Sequence, residues 1–152
     1  MEIGSQGYPA SALSNFPPHP FVFDGVECAC MEGLLQALKF DKEHIQVEVC
    51  KLVGLAAKYR GKKRNKRWRR LQTLWWKGQI YERGGDEYQR LLDRAFEALA
   101  KNQSFRNALV ASGNAVLTHS IGKTRVQDTV LTVQEFCSRL TRLRDRINRG
   151  EL

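Results

Sequence analysis

The sequence contains no apolar run that approaches the roughly 20 residues needed to span a membrane. Its first residues have neither a basic start nor an apolar core, so we do not expect them to form a secretory signal. Cysteine is scarce, and its four positions include no C-x-x-C pair and no neighbouring H-x-x-x-H cluster. We therefore expect a cytoplasmic protein with reduced, mostly buried thiols, no metal and no cofactor. The cysteines are Cys28, Cys30, Cys50 and Cys137.

Proline is absent beyond Pro20, and the four prolines together exclude a long helix from the N-terminal segment. Residues 21–23 (FVF) precede Asp24-Gly25, which is the pattern of a short strand followed by a tight turn. The return strand begins at Val26. We therefore predict a small β-hairpin that leads into the first long helix.

Acidic residues are absent from residues 58–70, although that segment holds nine basic side chains. The rest of the chain has 16 basic and 16 acidic residues, so the whole net charge of +9 belongs to this segment. Such a local excess is typical of a surface that binds phosphate or nucleic acid, and a solvated basic loop is the other interpretation. The nine are Lys58, Arg60, Lys62, Lys63, Arg64, Lys66, Arg67, Arg69 and Arg70.

Residues 28–40 (CACMEGLLQALKF) carry the pattern on which the functional interpretation depends. Four apolar residues repeat at i, i+3, i+4 and i+7 and predict the buried face of a helix. Glu32, Gln36 and Lys39 repeat at i, i+4 and i+7 and form a polar line beside that face. A solvated surface is the ordinary interpretation of such a line. The apolar positions are Met31, Leu34, Leu35 and Leu38.

The remaining pattern is predominantly helical and shows no repeat, linker or low-complexity segment. Hydrophobic residues (42%) and charged residues (27%) have the proportions of a globular protein. We predict one domain over residues 1–152, of mainly α (α+β) class, with the N-terminal hairpin and short extended pieces. Further helices are predicted over residues 43–58, from the basic segment to Trp76, over 86–99, over 104–113 and over 132–147, with a loop over 79–85. In the last helix, Thr132 and Glu135 form a capping box, and the outer side is expected to carry Arg139, Arg142, Arg144 and Arg146.

Three separate blocks in the first 40 residues resemble the signature of the NADAR (YbiA-like) family. They are Ser14-Asn15-Phe16, the H-P-F-x-x-D-G segment that starts at His19, and Glu32-x-x-x-Gln36-x-x-Lys39-Phe40. The resemblance implies a multi-helical YbiA-like domain. It also implies an N-glycosidase that hydrolyses a ribosyl C–N bond, in an ADP-ribosyl adduct or a related phosphorylated ribosyl compound. The expected partner is therefore a substrate that contains ADP-ribose or ribose phosphate.

Glu32 is the expected catalytic residue. Breaking a ribosyl C–N bond builds positive charge at the anomeric carbon, and a carboxylate stabilises that charge or activates the incoming water. Gln36 and Lys39 share the helical face of Glu32 and are expected to bind ribose hydroxyls or a phosphate, although a solvent-facing role is the alternative. Asn15 and Phe16 are expected to line the same cleft through hydrogen bonds and stacking, and Phe16 is equally suited to the core.

The basic segment supplies the other contacts that we expect to the substrate. Arg60 and Lys62 are candidates for phosphate binding, because guanidinium and ammonium groups form charge-assisted bonds to phosphate oxygens. Trp68 offers a flat surface for an adenine or flavin-like ring. A buried tryptophan and a solvated basic loop are the alternative interpretations.

The second half of the expected site departs from the family pattern. Many members carry an acidic residue within an E-x-S-x-x-D-like stretch followed by W-G, whereas this chain has THSIGK over residues 118–123. His119 is expected to take a polar, substrate-binding role there, or the chemistry rests on Glu32 alone; a hydrogen-bonded loop residue is the alternative interpretation of His119. Asp128 lies too far along the chain to be equated with the missing acid.

Two other functions fit parts of the sequence. The basic segment 58–70 with Trp68 is compatible with a nucleic-acid-binding module, and ADP-ribosylated nucleic acid would unite that function with hydrolysis. The missing acid is compatible with a catalytically inactive binder of ADP-ribose-like ligands. The sequence indicates no membrane partner and specifies no oligomeric state.

Overall fold

Helices make up most of the structure, a computed structural model that describes residues 1–4 and 6–152. Eight α-helices, one short 3₁₀ turn and two antiparallel β-hairpins lie in those residues. The mainly α (α+β) class predicted from the sequence is confirmed. No helix in the described part of the chain is long and apolar enough to cross a membrane. The elements are α1 (Ala10–Leu13), β1 (Phe21–Phe23), β2 (Val26–Cys28), α2 (Met31–Ala37), α3 (Glu43–Cys50), α4 (Gly54–Lys62), α5 (Asn65–Leu71), β3 (Thr73–Trp76), β4 (Gln79–Glu82), α6 (Asp86–Leu99), α7 (Gln103–Ala111), the 3₁₀ turn (Val126–Asp128) and α8 (Val133–Asn148).

The first hairpin lies where its sequence predicts it. β1 and β2 pair antiparallel, with Phe21 opposite Cys28 and Phe23 opposite Val26. These four side chains are buried, and the residues between them are exposed. The two turn residues that join the strands both have positive φ, as a two-residue hairpin turn of this kind requires. The hairpin delivers the chain to the start of α2.

α2 lies at the centre of the fold and packs against α3, α4 and β2. Its predicted apolar face is buried in the hydrophobic core. Gly33 permits the close approach of the chain that follows α3, because a Cβ there would lie 2.8 Å from the Leu52 carbonyl oxygen. The helix is shorter than predicted, since residue 28 belongs to β2 and Cys30 is still extended.

The helix predicted over residues 43–58 is in fact two helices, α3 and α4. α3 ends at Cys50, and α4 begins at Gly54 after a short connection. Gly54 has a φ of +56°, a conformation that residues other than glycine rarely adopt. Both helices pack against α2, so the apolar spacing continues across the break and hides it. Gly61 lies in the last turn of α4.

The segment predicted as helix up to Trp76 divides in a similar way. α5 ends at Leu71, and Gln72 then takes a left-handed conformation with a φ of +49°. Thr73–Trp76 forms β3, which pairs with β4, so the predicted loop over 79–85 is wrong in its first half. The Lys77-Gly78 pair is the hairpin turn rather than a helix end. Aromatic and β-branched residues favour strands, and here that preference outweighs helical spacing.

The C-terminal helix confirms its predicted capping box, but only part of the predicted exposure of its arginines. The Glu135 N–H donates to Thr132 Oγ1 over 3.1 Å, and the Thr132 N–H donates to Glu135 Oε1 over 2.8 Å. Arg139 and Arg144, predicted on the outer side, are buried. Arg139 pairs with Asp93 on α6 at 2.9 Å, and Arg144 donates to the Ser112 hydroxyl at the C-terminal end of α7. The spacing along one helix cannot reveal partners on another.

Arg83 forms a buried ion pair that joins the second hairpin to α8. Its side chain is 0% exposed and makes two hydrogen bonds to Glu135, of 2.6 and 3.1 Å. Its Nε also donates to the Thr129 carbonyl over 2.7 Å. Burial opposes ionisation of Glu135, yet the bonds from Arg83 and from the Thr132 N–H hold its pKa below the usual range.

Replacing Arg83 with alanine should lower the free energy of unfolding by about 3–5 kcal/mol, because the buried Glu135 would lose its partner. Urea denaturation measures this change. Arg90→Ala is the matched control, since Arg90 pairs with Glu87 on the surface, where solvent screens the two charges, and its loss should change the free energy of unfolding little. Equal losses in the two variants would contradict the prediction.

Candidate active site

A cavity of about 890 Å³ opens between α2, α4, α5 and the segment that leads into α8. It brings together the N-terminal blocks and the His119 region, which are far apart in the chain. Arg60 is the one expected site residue that does not line it. The expected residues that do are Asn15, Phe16, Glu32, Gln36, Lys39, Lys62, Trp68 and His119.

Glu32 lies in the first turn of α2 and faces the cavity. Its backbone N–H donates to the Asn15 carbonyl over 3.0 Å, which holds the S-N-F block against the start of the helix. Its Oε2 accepts a hydrogen bond of 2.8 Å from Gln36 Nε2, one turn later. Burial raises the pKa of Glu32, while the bond from Gln36 and the charges of Lys39 and Lys58 oppose that increase. The carboxylate is therefore oriented, desolvated and close to cations.

Lys39 lies just beyond α2 and is only 6% exposed. Its Nζ donates to Asn65 Oδ1 over 2.7 Å, and Trp68 Nε1 donates to the same oxygen over 3.2 Å. Burial lowers the pKa of Lys39 to about 8, and the negative charge of Glu32 opposes that decrease. Asn65 thus connects a lysine of lowered pKa to the buried indole of α5.

Gly61 gives the Gln36 side chain the space that it occupies. A Cβ at position 61 would lie 1.7 Å from Gln36 Oε1. That oxygen is buried, and none of the described residues donates a hydrogen bond to it. The amide is therefore held by its bond to Glu32 on one side and by the surface of α4 on the other.

Trp68 lines the cavity but does not offer the stacking surface expected of it. The side chain is 1% exposed, and its N–H is already bonded to Asn65. The indole supports the wall of the cavity instead of facing a ligand. Tyr59, which is 59% exposed, and Phe16 also line the cavity and are better placed to stack on a planar group.

Arg60 does not line the cavity, so its expected role in binding a phosphate gains no support from the cavity and stays a prediction. Its guanidinium stacks over the Phe40 ring at 4.8 Å from the centroid, and Arg64 approaches the same ring at 5.3 Å. The side chains of the basic segment therefore lie in three environments, which are the cavity, the faces of aromatic rings and open solvent. The three of its cations that line the cavity are Lys58, Lys62 and Arg69.

The segment after α7 forms the opposite wall. His119 lies there, with its Nδ1 2.9 Å from the Ile3 carbonyl oxygen and its ring packed edge-on against Phe136. Lys123 and Asp128 line the same wall. The fold thus brings Asp128 to the cavity, although its distance along the chain argued against equating it with the family acid.

Cations dominate the charged lining of the cavity. Five of them face two carboxylates, Glu32 and Asp128, and such a surface favours an anionic ligand. A smaller cavity of about 400 Å³ adjoins the first and adds Arg125 to the cations. In residues 1–4 and 6–152, no three His, Cys, Asp or Glu side chains are arranged to hold a metal ion. The five cations are Lys39, Lys58, Lys62, Arg69 and Lys123.

Sequence reasoning missed several of the lining residues. On α4 and on α5, pairs of polar side chains recur at i, i+4, and this spacing was the available signal. The i, i+4 spacing can be recognised only when the bounds of the helices are known, and the hydrophobic periodicity did not predict those bounds. The missed residues in loops follow no period, so the sequence contains no such signal for them. The missed residues are Lys58, Tyr59, Asn65, Arg69, Lys123 and Asp128.

The chain shares its fold with a solved structure. It matches the NMR structure of the E. coli protein YbiA with a TM-score of 0.65, over 99% of this chain and 86% of that one. The two sequences are 18% identical, so the likeness is one of fold. The YbiA-like fold expected from the N-terminal blocks is thereby confirmed.

Within that fold, the chain belongs to the family of bacteriophage protein GP30.3, whose model matches residues 7–145. A relative from Enterobacteria phage T4 is 41% identical over 152 residues, which cover 95% of this chain and 97% of the relative. That relative is described as an uncharacterized 17.1 kDa protein in the Gp30–rIII intergenic region. Neither description specifies an activity, so function must be argued from the site.

Replacing Gly61 with alanine should displace Gln36 from Glu32, because the added methyl group would overlap the buried amide. We expect the Gln36 side-chain amide signals to shift in a ¹H–¹⁵N spectrum and the free energy of unfolding to fall by about 1–3 kcal/mol. Gly84→Ala is the matched control, since a Cβ there meets nothing within 4 Å. Unchanged Gln36 signals in the Gly61→Ala variant would argue against this packing.

Proposed function

We propose that the protein is an N-glycosidase that hydrolyses a ribosyl C–N bond in an ADP-ribosyl adduct or a related phosphorylated ribosyl compound. The observation that carries the proposal is Glu32, a desolvated carboxylate that faces a cavity otherwise rich in cations. The YbiA-like fold is compatible with an enzyme of this class. The volume of about 890 Å³ lies within the range of small-molecule sites and suits a ligand of nucleotide size.

The proposed chemistry uses Glu32 at the anomeric carbon. As the C–N bond breaks, positive charge develops on the sugar, and a nearby carboxylate stabilises it or accepts a proton from the attacking water. Gln36 holds the carboxylate in one orientation through its 2.8 Å bond. Because Glu32 is largely removed from water, the attraction between its carboxylate and the developing positive charge is stronger than it would be in water.

The proposed binding of the substrate uses the walls of the cavity. Lys58, Lys62 and Arg69 supply positive charge for phosphate oxygens. Tyr59 and Phe16 supply aromatic surface for a planar group.

The four cysteines are free thiols, which supports the cytoplasm as the location of the protein.

The basic segment also supports a nucleic acid as the carrier of the modified group. Lys63, Lys66 and Arg70 are exposed outside the cavity and are free to contact a phosphate backbone next to it. A steep dependence of DNA or RNA affinity on salt, flattened in a variant that neutralises these three residues, would support that partner. Absence of measurable affinity at low salt would remove it.

Glu32→Gln should fold normally and lose hydrolysis by about 100-fold or more, because the amide carries no charge to stabilise the transition state. The test is a panel of ADP-ribosylated DNA, ADP-ribosylated protein, free ADP-ribose conjugates and riboflavin-pathway ribosyl phosphates. Glu48→Gln, on the exposed side of α3, is the matched control and should retain full activity. Full activity of Glu32→Gln would exclude the catalytic role, and tight ADP-ribose binding by a wild type without turnover would favour the inactive binder.

The affinity for ADP-ribose should weaken several-fold as the pH rises from about 7 to about 9. The pKa of Lys39 is lowered to about 8, so its amine is charged below that pH and neutral above it. Calorimetric titration across this range measures the effect. Lys39→Arg keeps its charge and should bind without the decline, whereas Lys39→Gln should bind weakly at every pH. If the affinity of Lys39→Arg declines in the same way, a titratable group other than Lys39 causes the pH dependence.

A further inference from the structure

Residues 1–3 run beside residue 118 and hold the loop that carries His119. The Ile3 N–H donates to the Thr118 carbonyl over 2.7 Å, and the Thr118 N–H donates to the Met1 carbonyl over 2.9 Å. Glu2 and Thr118 form a parallel β-bridge between these two bonds. The backbone on the N-terminal side of His119 is therefore fixed to the N-terminal segment.

The Glu2 carboxylate binds both residues that flank His119. Its Oε1 accepts a 2.8 Å hydrogen bond from the Thr118 hydroxyl. Its Oε2 accepts bonds from the Ser120 N–H at 2.7 Å and from the Ser120 hydroxyl at 2.8 Å. The bonds from Ser120 lower the pKa of Glu2, so the carboxylate is ionised at neutral pH and acts only as an acceptor.

The His119 ring is fixed on three sides. Its Nδ1 lies 2.9 Å from the Ile3 carbonyl oxygen, which can only accept, so Nδ1 carries the proton. Phe136 packs against the ring at 5.3 Å between centroids, and a Cβ on Gly122 would lie 2.8 Å from His119 Cδ2. In the neutral ring the lone pair is then on Nε2, which is bonded to none of the described residues.

A neutral acceptor complements the cations of the cavity. Its five cations can only donate hydrogen bonds, whereas a ribose hydroxyl must also donate one when it is taken out of water. The Glu32 carboxylate is occupied in part by Gln36. His119 lines the opposite wall together with Asp128, and an acceptor at its Nε2, unlike the Asp128 carboxylate, would add no negative charge.

We propose that Glu2 is a positioning residue, which fixes the His119 loop so that an unprotonated Nε2 accepts a hydrogen bond from a hydroxyl group of the substrate. The identity of that hydroxyl as one of ribose rests on the proposed function. The position and tautomer of the ring do not rest on it, and they can be measured in the free protein.

The first test is the tautomer of His119, read from the ¹⁵N shifts of its two ring nitrogens in a long-range ¹H–¹⁵N spectrum of the neutral ring. The wild type should show a protonated Nδ1 and an unprotonated Nε2. Glu2→Ala should move both signals towards the average of the two tautomers, whereas Glu2→Gln retains an acceptor and should stay close to the wild type. Glu27→Ala, on the exposed side of β2, is the control and should change nothing. A wild-type tautomer in Glu2→Ala would overturn the proposal.

The second test is kinetic and uses a ribosyl compound that the wild type hydrolyses. Glu2→Ala and His119→Ala should each lower kcat/KM by about 10-fold, the effect of one hydrogen bond. The double variant should be no worse than His119→Ala, because Glu2 acts through His119. Independent, multiplying losses would overturn the proposal. A wild type that hydrolyses no member of the panel would refute the proposed function alone, and the tautomer would still decide the role of Glu2.

Discussion

The side-chain amide of Gln36 is the contact on which the cavity depends. It donates to the Glu32 carboxylate and fills the space left by the missing side chain of Gly61. The distance between α2 and α4 is therefore set by the same group that orients the acid. Because α4 also carries Lys58 and Lys62, this one contact links the position of the cationic wall to the position of the carboxylate.

Sequence patterns predicted those parts of the fold whose residues interact within one element or one turn. The first hairpin and the Thr132–Glu135 capping box depend on neighbouring residues, and both are present as predicted. The breaks at Gly54 and Gln72 were missed because apolar residues on consecutive elements face the same core and keep a helical spacing. The exposure of charged residues was also predicted wrongly in part. Arg139 is buried because its charge pairs with the Asp93 carboxylate on another helix.

The candidate site was predictable where one helix carries it. Glu32 and Gln36 face the cavity because helical geometry places them together, and Lys39 follows in the turn that continues α2. Trp68 is buried, and Arg60 stacks on an aromatic ring. Both environments depend on packing between elements, so the spacing of residues along the chain could not predict them. Asp128 reaches the cavity through irregular backbone, for which no periodic signal exists.

The bond between Ile3 and His119 joins residues 116 positions apart, and this separation has a consequence for how the molecule is made. While the chain is being synthesised, residues 1–3 cannot pair with residues 118 and 119 until most of the sequence has emerged. Long-range contacts of this kind form late in folding, because the chain entropy of a large loop is lost before the contact is gained. We therefore expect the wall that carries His119 to form late, so that a nascent chain that already contains Glu32 and its helix still lacks a closed site.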